Sequence, residues 1–340
     1  MKSDNNSFNL NRRDFLKLFG GTVAALSIPS AVLEGCKKEI QKAIEATPVI
    51  WLQGQSCSGC SVSLLNTTKP DAATLITKYI SLNFHQTISA GTGHVLIDVI
   101  EDALKKKRKD FILVVEGSIP TKGNEYCTLG IVKDDHVDIE KWVSELGNNA
   151  KAVIAVGTCA AFGGIPAARG NVTGAKSVID ILPKRSIINV PGCPPHPDWI
   201  TGTIVHYLLY GKPELDEFNR PKYFFAKTVH DMCEHLPKYK KGEFAQFWGD
   251  EGCLYLLGCL GIDSNCDIPK RKWMDGVSSC TDCGSGCIGC TEKVFPDTGN
   301  RGLYMHRMAE CKEGEVIDSE EAGNPFEYST HRIERGINNV

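Results

Sequence analysis

This 340-residue chain has no excess of charge of one sign: 38 Lys and Arg stand against 41 Asp and Glu, a formal net charge of −3. A nucleic-acid or polyanion partner calls for a basic balance, so none is expected. The densest basic run, KKKRK from Lys105 to Lys109, follows the apolar-periodic segment HVLIDVIEDAL. It reads as a solvated helix C-terminus, where positive charge complements the dipole. Membrane-length apolar runs are also lacking. Leu18 to Leu33 carries no charge but is too short and too Gly/Ser-rich for a span, and Lys312 to Val340 is polar. With 42% hydrophobic and 23% charged residues, the composition is that of an ordinary soluble protein. The length permits a good core and more than one domain.

What is present begins with an address. Asn11 to Lys17 reads NRRDFLK, and Arg12, Arg13, Phe15 and Lys17 fit the R-R-x-F-x-K pattern of a twin-arginine export signal. A general secretory signal that carries two arginines is the plainer alternative. Twin-arginine export moves proteins already folded, often with metal installed, so thiols can be loaded before they meet an oxidising compartment. The expected location is the periplasm. No A-x-A site occurs between Ala25 and Thr47. LEGC, Leu33 to Cys36, resembles a lipoprotein cleavage site with an unusual Glu34, so lipid anchoring through Cys36 and cleavage without it both remain open.

Cysteine is abundant. There are fifteen, ten of them after residue 190. The odd count excludes a framework in which every one is paired, and clustering in so long a chain favours metal ligation over stapling.

Five apolar, β-rich runs recur between helix-like segments: PVIWLQ (Pro48 to Gln53), YISLNF (Tyr79 to Phe84), FILVVEG (Phe111 to Gly117), AVIAVG (Ala152 to Gly157) and SIINVPG (Ser186 to Gly192). The alternation predicts an α/β fold with a doubly wound parallel sheet over about residues 47–215. Ligands in such sheets bind beyond the strands' carboxyl ends. Cys57, Cys60, Cys159 and Cys193 each follow a strand run, so topology brings them to one edge, with Glu116 near it. Four thiolates suit a structural zinc or a [4Fe–4S] cluster. Ligands drawn from one close pair and two distant loops are less typical of compact zinc knuckles.

From Asp216 to about residue 312 the alternation stops, and a smaller, irregular domain is expected to fold around inorganic cores. HDMC offers His230 and Cys233, EGCLYLLGC offers Cys253 and Cys259, and SNC offers Cys266. SSCTDCGSGCIGC offers Cys280, Cys283, Cys287 and Cys290. Spacing does not choose between Cys280 and Cys283, and without either a [3Fe–4S] core is expected. Imidazole in place of thiolate removes negative charge and raises a cluster's potential, which suits an electron's exit. Cys127 and Cys311 have no partner at ligand spacing and read as structural or free thiols.

Together RRDFLK, WLQGQSCSGCSVSLL, VEGSIP, VGTCAAFGGIP, NVPGCPPHPDW, RPKYFFAKTVHDMC, GCLYLLGC and CIGC resemble the small subunit of periplasmic [NiFe] hydrogenases over nearly the whole chain. The resemblance implies a flavodoxin-like first domain and three iron–sulfur clusters. It assigns Cys57, Cys60, Cys159 and Cys193 to a proximal [4Fe–4S] cluster, and His230, Cys233, Cys253 and Cys259 to a distal [4Fe–4S] cluster. Cys266, Cys287 and Cys290 fall to a medial one. Where the family usually has a proline and a [3Fe–4S] medial core, SSCTDC is closer to the selenium-containing branch. That favours Cys280, with Cys283 as its rival, and a medial [4Fe–4S] core. The resemblance further implies a large subunit that holds the nickel–iron centre and an external acceptor, such as a multihaem cytochrome c, near His230. Two rivals remain: the cluster-bearing subunit of another exported redox complex, and a non-redox binding protein held by disulfides.

Overall fold

A computed structural model describes residues 47–297 except 69, 77–79, 90, 92, 107–109 and 133–134. The export signal with Arg12 and Arg13, the candidate lipidation site Cys36, Cys311 and the polar tail lie outside the described residues.

The first strand, β1 (Pro48–Gln53), is buried along its whole length, as a continuous PVIWLQ run requires. It lies between β2 (Ser81–His85) and β3 (Ile112–Glu116), and pairs in parallel with both. A small antiparallel hairpin follows, β4 (Thr128–Val132) with β5 (Asp135–Asp138), and Cys127 stands at its root. Then β6 (Ala152–Val156) pairs in parallel with β3, and β7 (Ile187–Val190) with β6. The five-stranded order β2-β1-β3-β6-β7 is the flavodoxin arrangement, with its topological switch between β1 and β3.

Alternation along the strands feeds two cores. Ile50, Leu52, Leu113, Val115, Val153 and Ala155 face one side, where helices α2 (His94–Lys106) and α3 (Ile139–Asn149) pack through Ile97, Ile100, Trp142 and Leu146. Val49, Trp51, Ile112, Val114, Ile154 and Val156 face the other. That face receives Leu64 of α1 (Gly59–Leu65) and Trp199, Ile200 and Ile204 of α5 (Pro197–Tyr210). Between α3 and α5 in the chain lies the short α4 (Thr158–Phe162). Lys105 near the end of α2 is exposed and pairs with Glu101 at 2.7 Å.

Beyond residue 215 regular structure is brief: α6 (Val229–Met232), α7 (Leu236–Lys241), a 3-10 turn at Leu254–Leu257 and α8 (Ile268–Arg271). This region packs onto the sheet, for Phe224, Phe225, Val229, Cys266 and Ile268 share the second core with Trp51 and Trp199. Arg271 ties it there, bonding Asp198 of α5 at 2.7 Å and Asp267 at 2.6 Å, while Arg220 braces the region internally, reaching Asp216 at 2.7 Å and Glu292 at 2.9 Å. Among the described residues no helix is long and apolar enough to cross a membrane.

Candidate metal centres

The switch between β1 and β3 carries the first group of thiols. After Gln53 the chain turns through Ser58, in the left-handed region at φ 61°, into α1, so Cys57 and Cys60 bracket a helix start. The amides at such a start have no intrahelical acceptor. Here a carboxylate from the neighbouring strand accepts them. Glu116 Oε1 takes the Cys60 and Ser61 amides at 3.1 and 3.3 Å and the Ser56 hydroxyl at 2.9 Å. Its Oε2 takes the Trp51 indole at 3.0 Å, the Gln53 amide at 3.2 Å and the Ser61 hydroxyl. Glu116 is fully buried, and all six partners donate.

Behind it lies a histidine that the sequence did not single out. His85 is fully buried, with its ring stacked on Trp51 at 5.2 Å. Its Nδ1 accepts the Thr87 and Ile88 amides at 3.1 and 3.3 Å. The ring proton therefore sits on Nε2 and is donated to Ser61 Oγ at 3.1 Å, which leaves the serine proton for Glu116. Burial lowers the His85 pKa to about 4, against the opposing pull of Glu116.

Cys159 enters from α4 beyond β6, and Cys193 from the loop after β7. The backbone around them leaves room for the sulfurs. A Cβ on Gly157, at φ +88°, would stand 2.5 Å from Cys60 Sγ, and one on Gly164, at φ +53°, 2.9 Å from Cys159 Sγ. Burial and neighbouring charge act on Cys60, Cys159 and Cys193. Burial drives the Cys60 thiol well up, and Glu116, Cys159, Cys57 and Cys193 push it further. Burial and then Cys193 raise Cys159 to about 11, and burial and then Cys57 raise Cys193. Thiolates held close together beside a buried carboxylate need compensating positive charge, which suits the group to a metal core.

A second group gathers where α8 meets the 280–290 segment. Cys266 is buried, and burial, then Cys290 and Cys287, raise its thiol far above the ordinary value. Burial raises Cys287 to about 12, with Cys259 and Cys280 adding to it. Burial and then Cys287 raise Cys290, and the Cys193 amide opposes the rise by hydrogen bonding to its sulfur. Cys280 thus acts on both Cys287 and Cys290, and burial raises it too, against a hydrogen bond from Trp273. Cys280 and Cys283 are both exposed at the surface, and the Cys283 sulfur lies 2.8 Å from Ser278 Oγ.

The third group surrounds Cys259. Burial raises Cys233 and Cys253, and Cys259 adds to both. His230, on α6, gives its amide to Gly261 O at 2.9 Å, and a Cβ on Gly261 would stand 3.4 Å from Cys259 Sγ. The His230 ring meets Tyr239 edge-on at 4.5 Å.

The groups are bonded to one another. The Cys287 amide donates to Cys259 Sγ at 3.2 Å, which joins the second and third. Thr158 joins the first and second: its hydroxyl accepts the Gly192 amide at 2.9 Å and donates to the Cys290 carbonyl. Cys127 packs by the first core, far from these contacts in the chain, and burial and then Asp138 raise its thiol. Among the described residues, no three His, Cys, Asp or Glu side chains gather closely enough to hold a single metal ion.

Comparison with known proteins gives two family matches. Residues 57–207 match the NADH ubiquinone oxidoreductase 20 kDa subunit family, and residues 225–301 the C-terminal family of NiFe/NiFeSe hydrogenase small subunits. The chain is 42% identical to the periplasmic [NiFeSe] hydrogenase small subunit of Desulfomicrobium baculatum, over 87% of this chain and 99% of that one. It is 38% identical to the hydrogenase-2 small chain of Escherichia coli K12, over 86% and 80%. Among solved structures, the reduced, active Ni-Fe-Se hydrogenase of Desulfomicrobium baculatum superposes with a TM-score of 0.71 at 43% identity, covering 74% of this chain and 96% of that one. An actinobacterial-type NiFe-hydrogenase from Ralstonia eutropha H16 gives 0.72 at 30%, covering 92% and 96%.

Proposed function

This chain belongs to the NiFe/NiFeSe hydrogenase small-subunit family and so works in electron transfer; from that premise we propose that it holds three iron–sulfur cores and links a large subunit to an external acceptor. The proposed proximal ligands are Cys57, Cys60, Cys159 and Cys193. The medial ligands are Cys266, Cys280, Cys287 and Cys290, and the distal ligands His230, Cys233, Cys253 and Cys259. The observation that carries the reading is the first group: Cys57, Cys60, Cys159 and Cys193 stand beyond the strand ends, where a Cβ on Gly157 or Gly164 would meet the Cys60 or Cys159 sulfur. Thiols too far apart to share one ion are compatible with a polynuclear core, where each ligand binds a different iron.

When bound, such cores supply one-electron carriers whose potentials follow ligand type, burial and hydrogen bonds. The chain's own residues set those terms. Glu116 places negative charge and fixes the Cys60 amide, His85 and Ser61 orient Glu116, and the Cys193 and Cys287 amides donate to sulfurs of the next group. Cys280 adds to the rise of both the Cys287 and Cys290 thiols, which favours it as the fourth medial ligand and a medial [4Fe–4S] core.

The large subunit, with its nickel–iron centre, would cover the proximal edge, where Cys57 is exposed and Val62 and Leu65 of α1 are 56% and 43% exposed. A multihaem cytochrome c would accept electrons near His230. We place the protein in the periplasm, exported through Arg12 and Arg13, with lipid anchoring at Cys36 as an option. In the assembled pair, Cys57→Ala is expected to abolish hydrogen-dependent dye reduction. His230→Ala should mainly slow transfer to the cytochrome. Full dye reduction by the first variant, or normal cytochrome rates in the second, contradicts the assignment.

A further inference from the structure

We propose that the Thr158 hydroxyl is a positioning group that holds the proximal and medial sites at their working separation; this rests on the ligand reading above.

Three facts place it. Thr158 is the first residue of α4, immediately before the proximal ligand Cys159, and its side chain is 1% exposed. Its Oγ accepts the amide of Gly192, the residue before the other proximal ligand of that side, Cys193, at 2.9 Å. The same Oγ donates to the carbonyl of Cys290, a medial ligand 132 positions along the chain. One hydroxyl therefore fixes the two loops that deliver Cys159 and Cys193 and ties both to the peptide of Cys290.

The alternatives for those groups are poor. Gly192 is buried and Cys290 half-buried, and a polar group removed from water without a partner is costly. The Thr158 amide is itself engaged with Gly192 O at 3.0 Å, so the threonine is clamped at main chain and side chain to the same loop. Electron transfer between fixed centres falls steeply with distance, so loosening this strap slows the hop between the sites and weakens their magnetic coupling. The nickel–iron chemistry in the partner is left as it was.

The test uses the assembled heterodimer with Thr158→Val, which keeps the shape and removes the hydroxyl, and Thr158→Ser, which keeps the hydroxyl. Wild-type complex is first examined by low-temperature electron paramagnetic resonance. Absence of two interacting iron–sulfur signals there overturns the ligand reading itself. With those signals present, Thr158→Val should weaken the proximal–medial spin interaction and slow hydrogen-dependent dye reduction several-fold. Hydrogen–deuterium exchange at the partner's centre should stay at the wild-type rate, and Thr158→Ser should restore both affected readouts. Unchanged spin interaction in Thr158→Val, or a parallel fall in isotope exchange, refutes the role of Thr158 alone. If Thr158→Val loses cluster iron, Thr158→Ala is measured in its place. Iron loss in that variant as well refutes a spacing role, because the hydroxyl would then serve cluster retention.

Discussion

Glu116→Gln alters hydrogen-bonding chemistry at the proximal edge while leaving side-chain shape almost unchanged. Six donors converge on the carboxylate, three on each oxygen. Whichever oxygen becomes NH2, three donors then face a donor. A serine hydroxyl in each set can rotate away, from Ser56 on one side or Ser61 on the other. The main-chain and indole donors cannot: the Cys60 and Ser61 amides at one oxygen, the Trp51 indole at the other, where the Gln53 amide keeps Ser61 Oγ and Ser58 Oγ as acceptors. A buried donor left without an acceptor costs about 1–3 kcal/mol, so the loss is at least about 1–3 kcal/mol. The variant also removes a negative charge beside the thiolates, so the proximal potential should rise. Chemical denaturation of wild-type and variant complexes side by side, with a potentiometric titration of the proximal signal, reads both effects. A stability loss below about 1 kcal/mol, the worth of one ordinary hydrogen bond, would refute the account of Glu116 as the cap of α1.

Other perturbations test other parts of the same construction. Gly157→Ala puts a methyl 2.5 Å from Cys60 Sγ at a backbone angle of +88°, so the complex should assemble with the proximal core depleted; full proximal iron in that variant contradicts the packing. Arg220→Ala strands Asp216 and Glu292 in a buried setting and should cost about 3–5 kcal/mol by denaturation, and Arg220→Lys should recover only part of it. His85 adds an acid-side dependence. Its folded pKa of about 4 lies below the ordinary 6.5, so the stability tied to its neutral ring is complete above pH 6.5 and drains as pH falls toward 4. The full loss is about 3 kcal/mol, and His85→Gln should flatten that part of the pH–stability curve. An unchanged curve in the variant argues against the neutral-ring assignment.

The strand runs were legible because a doubly covered parallel sheet leaves an unbroken apolar signature. PVIWLQ is β1 residue for residue, and FILVVEG and AVIAVG contain β3 and β6. Cys57, Cys60, Cys159 and Cys193 were legible for the same reason, since the ends of parallel strands share an edge. The polar groups behind the thiols were not. His85 closes β2, SLNFH, where a histidine has no pattern that distinguishes a hydrogen-bonded clamp from an ordinary core residue. Thr158 sits between Gly157 and Cys159, and its partner Cys290 lies 132 positions away, which no local period reports. The β4–β5 hairpin, with its short, half-polar strands, left too weak an alternation to read.

The most direct measurement is the iron and acid-labile sulfide content of the purified heterodimer, taken together with a count of its reactive thiols under denaturing conditions. The account predicts iron and sulfide in the stoichiometry of three polynuclear cores in this subunit, with the ligand cysteines recovered as free thiols once the metal is removed. A protein without stoichiometric sulfide, or with those cysteines oxidised to one another, would contradict it.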